Sequence, residues 1–196
     1  MDFLFGMKTK DRVLLASDKS VFQSIFVLSR EESKQWTLGD NLLLLCVGDG
    51  GDAAQFAEFI EKNIQLYKMR NGYDLSPKSA ASFIRRTIAE GLRSQSPYLV
   101  FLVLGGYDVK DSTPYLCSMD YLGTQFEAPF IMHGHGARFC YSILDRVYDE
   151  NWTEEQAVDA FRKCVTEVKR RFVLNMPKFK LTVVDENGIR ELPDVE

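Results

Sequence analysis

Histidine is scarce in this sequence, with two in 196 residues, His133 and His135. A metal centre built on them would need more ligands, and no cysteine or carboxylate stands at a familiar spacing. They read as structural histidines at a turn, and no cofactor is expected. Paired cysteines are also missing. Cys46, Cys117, Cys140 and Cys164 are scattered, and three of them sit in apolar or amphipathic runs, which predicts buried free thiols and a reducing intracellular compartment. No apolar run reaches membrane length and no signal or transit peptide opens the chain, so no membrane partner is expected. A basic block is absent too, and the formal charge is −4. The densest cationic run, Lys169-Arg170-Arg171, ends a helical stretch and complements its dipole. Nucleic acid is therefore excluded as a partner. With no linker, low-complexity segment or short repeat, 1–196 reads as one domain. That length buries a large core without disulfides or metal.

What is present alternates in blocks. Phe3 to Met7 and Arg12 to Ala16 read as a strand pair closed by Asp18, and Val21 to Leu28 as more strand. Gln35 to Leu38 and Leu42 to Val47 form a hairpin around Gly39-Asp40-Asn41. The run Leu42 to Val47 has no polar alternation, so both its faces should be buried. Helices are expected from Asp52 to Arg70, where Ala53, Phe56, Ala57, Ile60, Ile64 and Tyr67 share a face, and after Ser76-Pro77, a cap and first turn. Strands follow at Tyr98 to Leu104 (ending in Gly105-Gly106), Tyr115 to Met119 and Gln125 to Met132. A second helical pair spans Gly136 to Tyr148 and Thr153 to about Phe172, the latter opened by the capping box Thr153-Glu154-Glu155-Gln156. Phe179 to Val184 and Ile189 to Leu192 close as a hairpin through Glu186-Asn187-Gly188. Two helical pairs can cover two stacked sheets from outside. The expected fold class is α/β (α+β), a four-layer αββα sandwich of two antiparallel sheets flanked by helical pairs.

Two constellations bear on chemistry. Gly48-Asp49-Gly50-Gly51-Asp52 lacks the Lys-Ser/Thr of a phosphate loop, and its aspartates repel phosphate. It reads as a tight corner with Asp49 or Asp52 capping the helix. The other is the chain start. Strand ends there bring together a terminus, the carboxylate of Asp18 and the amine of Lys34, a layout that suits an N-terminal nucleophile. The residues at that place are Met1-Asp2, with no Thr, Ser or Cys. The immediate strand is expected to leave no room for a removable propeptide.

Gly6, Asp18, Lys34, Gly48 with its corner, and Gly134-His135-Gly136 before a helix ending Leu144-Asp145-Arg146 together resemble a proteasome beta subunit over essentially the whole chain. The runs QFAEFIEKNIQLYKMRNGYDLSP, GGYD, MDYLGT, HGHG, SILDR and VVDENGIREL resemble the eukaryotic type-2 branch, which occupies the beta-4 position of the 20S core. The resemblance implies the N-terminal-nucleophile (Ntn) hydrolase sandwich. It also implies a role in ATP- and ubiquitin-dependent protein degradation in cytoplasm and nucleus. The implied partners are neighbouring beta subunits, the adjacent alpha ring, the opposite beta ring and assembly chaperones. In active relatives the threonine nucleophile falls on Asp2. The aspartate, lysine and oxyanion-hole glycine fall on Asp18, Lys34 and Gly48, while the supporting serine, aspartate and second serine fall on His135, Phe172 and Asn175. The resemblance therefore implies vestigial positions and no catalytic residue. An active threonine-type peptidase is the alternative, and it requires Thr, Ser or Cys at the terminus. Two apolar segments, Phe22 to Leu28 and Met132 to Tyr141, are expected at subunit interfaces.

Overall fold

The computed structural model describes residues 2–24 and 26–195. β1 (Leu4–Lys8) and β2 (Val13–Asp18) form the first hairpin, and β3 (Val21–Gln23) and β4 (Phe26–Ser29) a second. β5 (Gln35–Gly39) and β6 (Leu42–Gly48) make a third, followed by α1 (Gly50–Asn71) and α2 (Pro77–Gly91). Then come β7 (Val100–Asp108), β8 (Thr113–Met119), β9 (Gln125–Glu127) and β10 (Phe130–His133). α3 (Ala137–Val147), α4 (Glu154–Arg171), β11 (Phe179–Asp185) and β12 (Gly188–Val195) complete the order.

One five-stranded sheet runs β10-β1-β2-β11-β12 and the other β5-β6-β7-β8-β9, with antiparallel pairing throughout. Alternation along each strand divides the core. On β6, Leu43, Leu45 and Val47 meet Leu4, Leu15 and Val103 between the sheets, while Leu44 and Cys46 pack with Phe56 and Ile84 under α1 and α2. Phe5, Phe161 and Phe179 fill the third layer, beneath α3 and α4. The result is the expected helix–sheet–sheet–helix sandwich. Close sheet contact depends on missing side chains. A Cβ on Gly105 would lie 2.6 Å from Leu15 Cδ1, and one on Gly6 2.8 Å from Leu116 Cδ1.

The helix caps read from sequence at Ser76 and Thr153 are formed. Ser76 Oγ accepts from the Ser79 N–H at 3.3 Å. The box at Thr153 closes both ways, with Gln156 N–H donating to Thr153 Oγ1 and Thr153 N–H to Gln156 Oε1. The four cysteines are buried and free.

Elsewhere the structure corrects the pattern. Val21 to Leu28 is not one strand. The chain turns at Ser24 (φ 55°), and β3 and β4 pair only with each other. Phe26, Val27 and Leu28 are exposed, because neither sheet offers this segment an edge or a core to bury them in. Gln125 to Met132 also splits, with β9 beside β8 in one sheet and β10 beside β1 in the other. Pro129 sits at the break, where its carbonyl accepts from the Lys8 N–H. Gly105 and Gly106 lie inside β7 rather than ending it, since Leu15 and Leu42 occupy the space of their side chains. Asp49 holds the N-cap place of α1 without a side-chain bond, and Asp52 instead accepts from the Leu99 N–H at 3.1 Å.

Candidate functional site

Three chain segments converge at one end of the sandwich. β1 begins just after Asp2, β2 ends at Asp18, and Lys34 directly precedes β5. The Lys34 ammonium donates to Asp18 Oδ1 and Asp2 Oδ1, each at 2.7 Å, and to the Ser20 carbonyl at 2.8 Å. Three acceptors use all three of its donors. Asp18 is fully buried and accepts from two backbone amides, Phe3 N–H to Oδ1 at 2.8 Å and Ser20 N–H to Oδ2 at 3.1 Å.

The two carboxylates respond differently. Burial pushes the Asp18 carboxyl above its ordinary value, against Lys34 and the Phe3 amide, and the Asp2 charge adds to the rise. At Asp2 burial is again the largest single effect and pushes upward, but Lys34 and the terminal ammonium together outweigh it and the group ends below its ordinary value. The Asp2 contribution to stability is thus complete above its unfolded value of 3.8 and is lost as pH falls through the lower folded value. Asp2→Asn should accordingly lose stability relative to the parent by a constant amount above about pH 5, and the gap should narrow at lower pH. Urea midpoints across pH check this, and a gap that widens on acidification contradicts it.

Asp2, Gly48 and His135 line one cleft of about 520 Å³, together with His133, Arg138 and Tyr141. The His133 ring stacks on Phe101 with centroids 4.1 Å apart, and burial lowers its pKa against the pull of Asp2. Tyr141 donates its hydroxyl to the Met132 carbonyl and accepts from the Met132 N–H. The Met132 to Tyr141 corner was expected as an interface. Within this chain Met132, Ala137 and Cys140 are buried, His133, Phe139 and Tyr141 are half-buried, and His135 and Arg138 are exposed.

Of the positions singled out in the sequence, Asp2, Asp18 and Lys34 form one bonded cluster, and Gly48 and His135 share its cleft. The Phe172 ring stacks beside that of His135, with centroids 6.4 Å apart. Asn175 is exposed beyond α4, with no bond to the others among the described residues. Sequence reading missed Ser20, whose amide and carbonyl both serve the cluster. The available signal was the Asp18-Lys19-Ser20 spacing, since aspartates often bond the amide two residues on. Among the described residues no group of three or more His, Cys, Asp or Glu could hold a metal.

The family profile described as "Proteasome subunit" matches residues 4–184. The chain belongs to the proteasome beta subunit family. It is 44% identical to proteasome subunit beta type-2 of Caenorhabditis elegans, covering 100% of this chain and 99% of that protein. It is 39% identical to proteasome subunit beta type-4 of Saccharomyces cerevisiae, over 100% of this chain and 99% of the relative. Proteasome subunit beta type-2 of Dictyostelium discoideum is also 39% identical, with 98% of each chain covered. The match runs through both sheets and both helical pairs. In this beta subunit Asp18 and Lys34 fall within the matched residues, and Asp2 lies just ahead of them.

Proposed function

We propose that this chain is a non-catalytic, structural beta subunit of the 20S core particle. It forms part of the ring enclosing the proteolytic chamber for ATP- and ubiquitin-dependent degradation, in cytoplasm and nucleus. One observation carries the reading. Where active relatives are expected to present a threonine, this chain has Asp2, with its carboxylate bound to Lys34 Nζ at 2.7 Å. A carboxylate on that lysine has no hydroxyl proton to give up and occupies the amine that would take one. Loss of the nucleophile from such a unit costs on the order of a millionfold in rate. The nearest threonine, Thr9, is buried in the turn after β1 with its hydroxyl 3.2 Å from Asp11 Oδ1, so the peptidase alternative lacks a nucleophile there.

Exposed apolar side chains favour life within an assembly. Phe26 and Leu28 on the β3–β4 hairpin are 66% and 62% exposed, and Met69 on α1 is 80% exposed. The partners are adjacent beta subunits, the alpha ring and the opposite beta ring, with assembly chaperones before them.

The test is to purify particles through a tag on this chain and treat them with an epoxyketone probe. Other beta subunits should co-purify and take the label, and this chain should keep its unmodified mass. A covalent adduct within the first ten residues overturns the assignment. So does purification of the chain as a lone monomer.

A further inference from the structure

Two Asn-Gly pairs occur in the chain, Asn71-Gly72 and Asn187-Gly188. A glycine after asparagine leaves its backbone nitrogen unhindered for attack on the side-chain amide carbon. At the other asparagines the following residue is Leu42, Ile64, Trp152 or Met176, whose side chains shield that nitrogen.

The fold treats the two pairs differently. Asn71 is the last residue of α1, its Nδ2 donates to the Tyr67 carbonyl at 2.9 Å, and the Gly72 N–H donates to the Lys68 carbonyl at 2.8 Å. Both reacting groups are engaged there, and the helical turn must open before they meet. Asn187 stands exposed in the turn joining β11 to β12, and its side-chain amide makes no hydrogen bond among the described residues.

We propose that Asn187 is a site of spontaneous succinimide formation and conversion to aspartate and isoaspartate. The Gly188 nitrogen attacks Asn187 Cγ, the bond from Cγ to the amide nitrogen breaks, and ammonia leaves. Water then opens the five-membered ring at either carbonyl, giving aspartate or isoaspartate. The overall change consumes one water and releases one ammonia, with no oxidant or enzyme required.

The surroundings make the change consequential. The Asn187 N–H donates to Asp185 Oδ1 at 2.8 Å, and the Asp185 carbonyl accepts from Asn41 Nδ2 at 2.7 Å. This turn is thereby stitched to the β5–β6 turn of the other sheet, and the Asp40 carbonyl lies 3.2 Å from where a Gly188 Cβ would be. Conversion adds a carboxylate beside Asp185 and Glu186. Isoaspartate also inserts a methylene into the backbone of the turn. β12 is an edge strand paired only with β11, so its register yields first.

The experiment ages the purified full chain, in the assembly it purifies with, at physiological temperature and mildly alkaline pH. Isoaspartate is read by isoaspartyl methyltransferase labelling and peptide mapping. Asn187 should convert about tenfold faster than Asn71, the ratio set by roughly 1.4 kcal/mol of local opening at the helix end. Asn187→Gln should abolish the early signal, and converted chains should exchange their β12 amides faster than unconverted ones. Equal or faster conversion at Asn71 overturns the proposal. So does an intact Asn187 after a synthetic peptide spanning residues 184–189 has converted under the same conditions.

Discussion

Lys34→Met is expected to lower stability by about 3–5 kcal/mol, the cost of removing one member of a buried ionic cluster. The lysine is 6% exposed and neutralises a carboxylate with no exposure at all. Without it, Asp18 keeps only the Phe3 and Ser20 amides, and the Asp2 charge nearby becomes purely repulsive. The Ser20 carbonyl also loses its donor. A second substitution separates this account from simple loss of packing. Adding Asp18→Asn to Lys34→Met removes the uncompensated charge and should restore part of the loss. Urea midpoints measure both, and incorporation into particles gives a second readout. A single-variant loss under about 1 kcal/mol, or a double variant less stable than the single, contradicts the buried-cluster reading. The proposed non-catalytic role predicts unchanged peptidase activity per assembled particle.

Gly134→Ala should be nearly as damaging, by a different route. Gly134 has φ +99°, and an added Cβ would fall 1.8 Å from the Asp2 carbonyl oxygen and 3.0 Å from its carbon. Those are backbone atoms and cannot rotate away. The left-handed conformation costs an alanine about 1–2 kcal/mol, and overpacking adds about 1–3 kcal/mol. The expected total is therefore about 2–5 kcal/mol. Gly72→Ala is the control, since Gly72 has φ +77° but nothing within 4 Å of its added Cβ. It should show the conformational cost alone. If the two alanine variants lose the same stability, the close approach at Asp2 carries no energy.

The layered architecture was legible because it rests on local signals. Uninterrupted apolar strands such as Leu42 to Val47 demand cover on both faces. The caps at Ser76 and Thr153 are made between residues three apart, so sequence spacing alone specifies them. The three-residue cluster was legible in part. Pattern already brought Asp18 and Lys34 together with the chain start, and the resemblance put the nucleophile's place on Asp2.

Sequence by itself determined the residue types at this site, above all that Asp2 offers no hydroxyl or thiol. It also determined the strand and helix periods that stack into four layers. Tertiary structure decided what depended on distant neighbours. It split Gln125 to Met132 between two sheets, because β8 and β1 each captured one half. It left Phe26 and Leu28 in solvent, because no sheet edge reached the hairpin. It also bound Asp2 to Lys34. Period and propensity report on neighbours in sequence, whereas these outcomes turn on which surfaces meet across the fold.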